Sequence, residues 1–162
     1  MLKTFKTEIK WSFIFVLMML CWMILERISG LHSTHIDKHP IFTNFVAIPA
    51  IAIYAFALID KRNRVYGGLM TYKQGFISGL IITLIVTILS PLTQIITSKI
   101  ITPEFFQNAI NHAVSSGKME QGAAEKYFNL GSYIIQGLIG APVMGIITSA
   151  IVAIFTRKKA GV

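Results

Sequence analysis

Four long apolar runs, separated by short polar segments, set out the plan of the chain. Residues 9–28, 41–59, 75–98 and 130–155 are almost wholly apolar, and a hydrocarbon core of ~30 Å needs roughly 20 such residues in a helix. The segment 102–129 is different: polar overall, it carries apolar residues at helical spacing. The pattern predicts an all-α membrane protein built as one domain over 1–162. Its fold would be a bundle of four transmembrane helices, with one or two short amphipathic helices between the third and fourth spans.

The ends of these elements carry their own signals. Gly30 is placed to end the first helix, and Tyr66-Gly67-Gly68 marks a turn before the third. Thr102-Pro103-Glu104 reads as a helix start with a capping hydroxyl and proline at the first position. Phe105, Phe106, Ala109, Ile110, Ala113 and Val114 then share one face, which predicts a helix lying on the membrane surface or capping the bundle. Ser116-Gly117 ends it. A second polar helix from about 118 to 129 is expected to run on into the fourth span.

Small residues predict how the spans pack. Gly75, Gly79, Thr83 and Thr87 recur every fourth residue towards Pro91, and Gly137, Ala141, Gly145, Ser149 and Ala153 repeat that step in the fourth run. Between helices in lipid there is little hydrophobic driving force, so close backbone approach through small residues decides association. The third and fourth spans are therefore expected to dock through these stripes. Trp11, Phe13, Phe15 and Trp22 point the first span largely at lipid, with Lys10 and Arg27 snorkelling to the two surfaces. The charged Glu26-Arg27 after that run does not suit a cleavage site, so it reads as a span rather than a removed leader.

Composition agrees and excludes other classes. Apolar residues make up 54% and charged residues 14% of the chain, against about 25% charged in soluble proteins, and the mean hydropathy is +0.64. The net charge of +8 is not a nucleic-acid-binding face, because the charges flank apolar runs. Lys3, Lys6, Lys10, Lys61, Arg62, Arg64, Lys73, Arg157, Lys158 and Lys159 lie on one side with Glu8 and Asp60. Arg27, Lys38, Lys99, Lys118 and Lys126 lie on the other with five acids. An excess of Lys and Arg marks the cytoplasmic side, so both termini are expected there, in a bacterial inner membrane. The single cysteine, Cys21, reads as a small buried hydrophobe.

Candidate chemistry is sparse. Pro49, Pro91 and Pro142 each free a carbonyl inside a span, and Asn44, Ser90, Thr93, Gln94, Tyr133 and Gln136 lie near them. These side chains would either bond across helices and hold the bundle together, or line a cavity (Asn44, Thr93, Gln94, Tyr133, Gln136) open to the outside. No acid or base sits at mid-membrane depth in the runs, which weighs against a proton-coupled carrier. His32, His35 and His39 have metal-ligand spacing and on a helix would share a face. No glutamate base stands beside a histidine pair, and their ordinary reading is as solvated loop residues. Signatures of hydrolases, phosphate loops and cysteine pairs are absent, so neither enzyme activity nor a cofactor or metal is expected.

The stretch Tyr66-Gly67-Gly68-Leu69-Met70-Thr71-Tyr72-Lys73-Gln74-Gly75-Phe76, with Gly79 one turn on, resembles the small bacterial membrane proteins catalogued as domain of unknown function forty-one ninety-nine. Lys10-Trp11, Glu26, Gly30 and Pro103-Glu104-Phe105 extend the likeness over nearly the whole chain. The resemblance implies an integral inner-membrane protein of about four spans with no established activity, and it supplies no site residues. The expected role is a non-enzymatic accessory or structural membrane component, its partners being the lipid bilayer and a second copy or another membrane protein. The alternative is a small oligomeric transporter or channel, with its cavity near Pro91, Gln94 and Gln136.

Overall fold

The computed structural model describes residues 5–158; Lys3 and Lys159 of the charge count lie outside them. Among the described residues six helices follow one another: α1 (Lys6–Ile28), α2 (His39–Val65), α3 (Tyr72–Ile101), α4 (Phe105–Ser115), α5 (Gln121–Tyr127) and α6 (Leu130–Thr156). Of these, α1, α2, α3 and α6 are long and apolar enough to cross a membrane. No strand occurs among the described residues, although a backbone pair joins Met70 to Lys158. One end of the bundle carries both chain ends and the α2–α3 turn. The other carries the two longer connections and is called the loop end below.

Local chemistry explains where the helices start and stop. After α2, Gly67 and Gly68 take φ of 61° and 90°, a region that costs other residues energy, and the chain reverses. Thr71 then caps α3 reciprocally: its hydroxyl accepts from the Gln74 N–H, while the side-chain Oε1 of Gln74 accepts from the Thr71 N–H. This Thr-x-x-Gln capping box accounts for part of the stretch that resembles the family. Pro91 leaves the Thr87 carbonyl without its helical partner, and the Ser90 hydroxyl donates to it at 2.9 Å.

Two expectations about the loop end need correction. Thr102 does not cap α4: the helix opens at Phe105 with Glu104 as its first flanking residue and no side-chain cap. Nor does α5 continue into α6. Asn129 adopts an extended conformation and its side chain accepts from the Ser132 N–H, so it starts α6 afresh.

α3 and α6 form the tightest pair, through the predicted stripes. A Cβ added at Gly79 would lie 2.5 Å from the Ser149 hydroxyl, and one at Gly75 would meet Ala153 at 3.4 Å. At Gly145 it would collide with the side chain of Thr83. Further towards the loop end the contact slackens, with 3.6 Å from Gly137 to Ser90. The apolar core sits in the half holding the chain ends: Tyr54, Ala57 and Leu58 of α2, Met70 and Ile82, and Val152 and Ala153 of α6.

α1 is attached differently. Its buried residues are Thr7, Glu8, Ser12 and Glu26, all polar, while Phe13, Leu17 and Leu25 are exposed, in keeping with a lipid-facing helix. Cys21 is exposed too rather than buried, because it lies on this outward side.

Candidate functional site

Two polar clusters and a cavity hold the chemistry of the molecule. The first cluster closes the bundle at the end carrying the chain ends. Glu8 of α1 and Lys61 of α2, 1% and 2% exposed, form an ion pair with the Lys61 Nζ 2.8 Å from Oε1 and 3.0 Å from Oε2. The Ser78 hydroxyl of α3 donates to Glu8 Oε1 at 2.6 Å. By position along the chain both charges belong at the membrane surface. Three helices instead enclose them, and a carboxylate away from water persists only when paired and hydrogen-bonded. Asp60, one residue earlier, stays near the boundary and accepts from Lys10 and from the Trp11 indole.

The second cluster lies at the loop end and differs from the histidine triad expected from spacing. Residues 31–38 form successive turns rather than a helix, so the three histidines do not share a face. His35 is exposed and stands apart. Gly30, at φ 78°, reverses the chain and returns the Leu31 N–H to the Glu26 carbonyl. That fold places His32, 4% exposed, with its Nε2 2.9 Å from Glu26 Oε2. His39, at the first turn of α2, brings its Nε2 to 3.4 Å from the same oxygen. The Trp22 indole donates to the other oxygen, Oε1, at 2.7 Å. Ring centroids of Phe105 lie 4.9 Å from His32 and 5.1 Å from His39, and Asn108 donates to the His32 carbonyl. α4 therefore caps the bundle, with Phe105 as the lid over the cluster.

Between the clusters, the four spanning helices diverge around a cavity of about 570 Å³. Phe15 and Tyr54 form its floor, ring against ring at 5.8 Å. The Tyr54 hydroxyl donates to Thr83, whose own hydroxyl donates to the Gly79 carbonyl, so the polar groups of the floor are satisfied. The walls are mostly apolar, and Asn44, Thr93, Gln94 and Tyr133 stand at the upper end. Asn44, Ala47, Ile51 and Met144 are the most exposed lining residues, which puts the mouth between α2 and α6 at membrane depth. A smaller cavity of about 200 Å³ continues from Thr93, Gln94 and Tyr133 to His32 and His39.

Of the cavity residues expected from sequence, Asn44, Thr93, Gln94 and Tyr133 line this space, whereas Gln136 is exposed on α6 and does not. These side chains do not bond across helices either. Asn44 donates to the Pro40 carbonyl, Thr93 to the Leu89 carbonyl and Gln94 to the Ser98 hydroxyl, each four residues away. Interhelical hydrogen bonds are made instead by other groups, among them Tyr54, Ser78, Asp60, Arg62 and the Glu8–Lys61 pair. No sequence signal set Glu8 apart from a surface acid. Glu26 was detectable only as an acid beside the histidine run.

These features define a multi-pass membrane protein that is packed shut in one half and hollow in the other, with a carboxylate–imidazole cluster over the hollow. Residues 10–158 match the family described as Protein of unknown function (DUF4199), and the chain belongs to that family. No curated protein and no solved structure matches it significantly.

Proposed function

We propose that the protein is a non-enzymatic component of a bacterial inner membrane that holds one amphipathic, lipid-like molecule in its loop-end half. The observation that carries this reading is the cavity. Its volume falls within the roughly 300–1,000 Å³ of ordinary ligand sites. Its lining is apolar with a polar upper end, and its mouth between α2 and α6 faces acyl chains rather than water. A tail would lie against Phe15, Val46 and Val86, with a polar head near Gln94 and Tyr133. The excess of Lys and Arg beside the chain ends supports cytoplasmic termini, which turns the cavity towards the outer leaflet. Carriage through the membrane is less well supported, because below Tyr54 the path meets the apolar core and the Glu8–Lys61 pair.

The test is lipid analysis of the protein purified in mild detergent, beside the cavity-filling variants Gly140→Leu and Ala50→Phe. A Cβ at Gly140 meets nothing within 4 Å, so added bulk there enters the cavity without a clash. Retention of one amphiphile by the native chain, and its loss from well-folded variants, is the expected result. Equal retention in the filled variants, or a co-purifying membrane protein in place of any amphiphile, would overturn it.

A further inference from the structure

We propose that Glu26, His32 and His39 form a binding site for a divalent transition-metal ion of the zinc type. The inference stands on the cluster alone and does not rest on occupancy of the larger cavity.

The donor set suits the ion. Two imidazoles and one carboxylate are a recurrent set for zinc where three protein ligands leave the fourth position open. One ligand atom from each residue lies within 4.8 Å of the other two. With metal–ligand bonds of about 2.0–2.1 Å, tetrahedral ligand atoms stand roughly 3.3 Å apart. Glu26 Oε2 is already 2.9 Å from one imidazole nitrogen and 3.4 Å from the other. The imidazole atoms lie within 4.8 Å of each other, so a closure of up to about 1.5 Å between the two rings would bring the set to tetrahedral spacing.

Three features distinguish this cluster from an ordinary ion pair. First, both imidazoles turn Nε2 towards one and the same carboxylate oxygen, so three potential ligand atoms converge on one point inside the protein. Second, the carboxylate has outer support: the Trp22 indole holds the oxygen turned away from the histidines, the kind of contact that orients metal ligands. Third, the smaller cavity of about 200 Å³ borders His32 and His39 and gives the open coordination position room for water or a ligand atom. Phe105 covers the imidazoles from the opposite element and restricts access by bulk water.

The ligands come from the end of α1, the following loop and the start of α2. A bound ion would fasten those three segments beneath α4, at the place where α1 has no buried apolar residue to hold it.

The experiment is zinc binding by the full-length chain in detergent, stripped with chelator, measured by calorimetry and by elemental analysis after desalting. Cobalt provides a second probe through the visible absorption of tetrahedral coordination. The native chain and His35→Ala are expected to retain zinc equally. His39→Ala and Glu26→Gln should bind at least ~10-fold more weakly, and Trp22→Phe, which removes only the outer contact, should lose ~10-fold. Helical content and a monodisperse profile establish that each variant is folded. If Glu26→Gln proves unstable, His39→Ala decides, because His39 is partly exposed and makes no other ion pair among the described residues. Zinc retention unchanged in His39→Ala, binding lost in His35→Ala, or no zinc held by the native chain would each overturn the site.

Discussion

Glu8 and Lys61, fifty-three residues apart in sequence, meet inside the bundle with both carboxylate oxygens within 3.0 Å of the lysine nitrogen. Each arrives from a helix end where charge is usual. Because α1, α2 and α3 close around them, the pair is cut off from water, and Ser78 satisfies a further lone pair on the carboxylate.

Removing the carboxylate breaks a buried pair and takes the counter-ion from Lys61. Glu8→Ala is expected to destabilise the protein by about 3–5 kcal/mol, the usual cost of breaking a buried ion pair by removing one partner. Replacing both, as Glu8→Leu with Lys61→Met, should recover most of that loss, because apolar residues of similar volume avoid the desolvation cost. Thermal or denaturant unfolding in mild detergent measures both. A double variant no more stable than the single one would show that the pair's value lies in its other contacts.

The α3–α6 seam gives a second expectation. Gly79→Ala forces a methyl group to within 2.5 Å of the Ser149 hydroxyl, an overpacking that costs typically 1–3 kcal/mol. Moving the bulk across the seam, Gly79→Ala with Ser149→Gly, removes the two closest contacts and leaves the Ser149 Cα at 3.3 Å, which should restore much of the stability. A double-mutant cycle reads the coupling directly. Additive losses would mean that the two helices do not meet at this pair.

Gly30 offers a third. A side chain there would be strained by φ 78° and would approach Thr34 Oγ1 to 2.5 Å. Gly30→Ala should therefore cost about 1 kcal/mol or more and loosen the loop that carries His32 back to Glu26. Faster amide hydrogen exchange over residues 31–38, with the exchange of α3 and α6 unchanged, is the expected signature. Uniform protection would indicate that the loop tolerates the change.

How far this was legible in the sequence follows from the range of each signal. The spans and the α3–α6 stripes are written in local periodicity, and Gly75, Gly79 and Gly145 stand where a four-residue step puts them. The two clusters depend on contacts between helices and on one reversed turn, which no local pattern encodes. His35 fits the histidine spacing and Glu26 does not, yet the turn at Gly30 takes Glu26 and leaves His35 outside. Gln136 shares its side of α6 with Tyr133 and Gly140, which line the cavity, yet is itself exposed; helical periodicity gives its depth but not the edge of the lining.

The two buried acids of α1 are eighteen residues apart, about 27 Å at 1.5 Å per residue, close to the thickness of the hydrocarbon core. Each surface of the membrane thus has its own fastening for this helix, and between them α1 offers mainly lipid-facing side chains. The fastening at Glu8 is complete within the protein, whereas that at Glu26 is made of imidazoles and a carboxylate whose strength varies with what binds them. Were the proposed ion to bind at Glu26, α1 would be fastened at both of its ends beside the cavity it helps to wall.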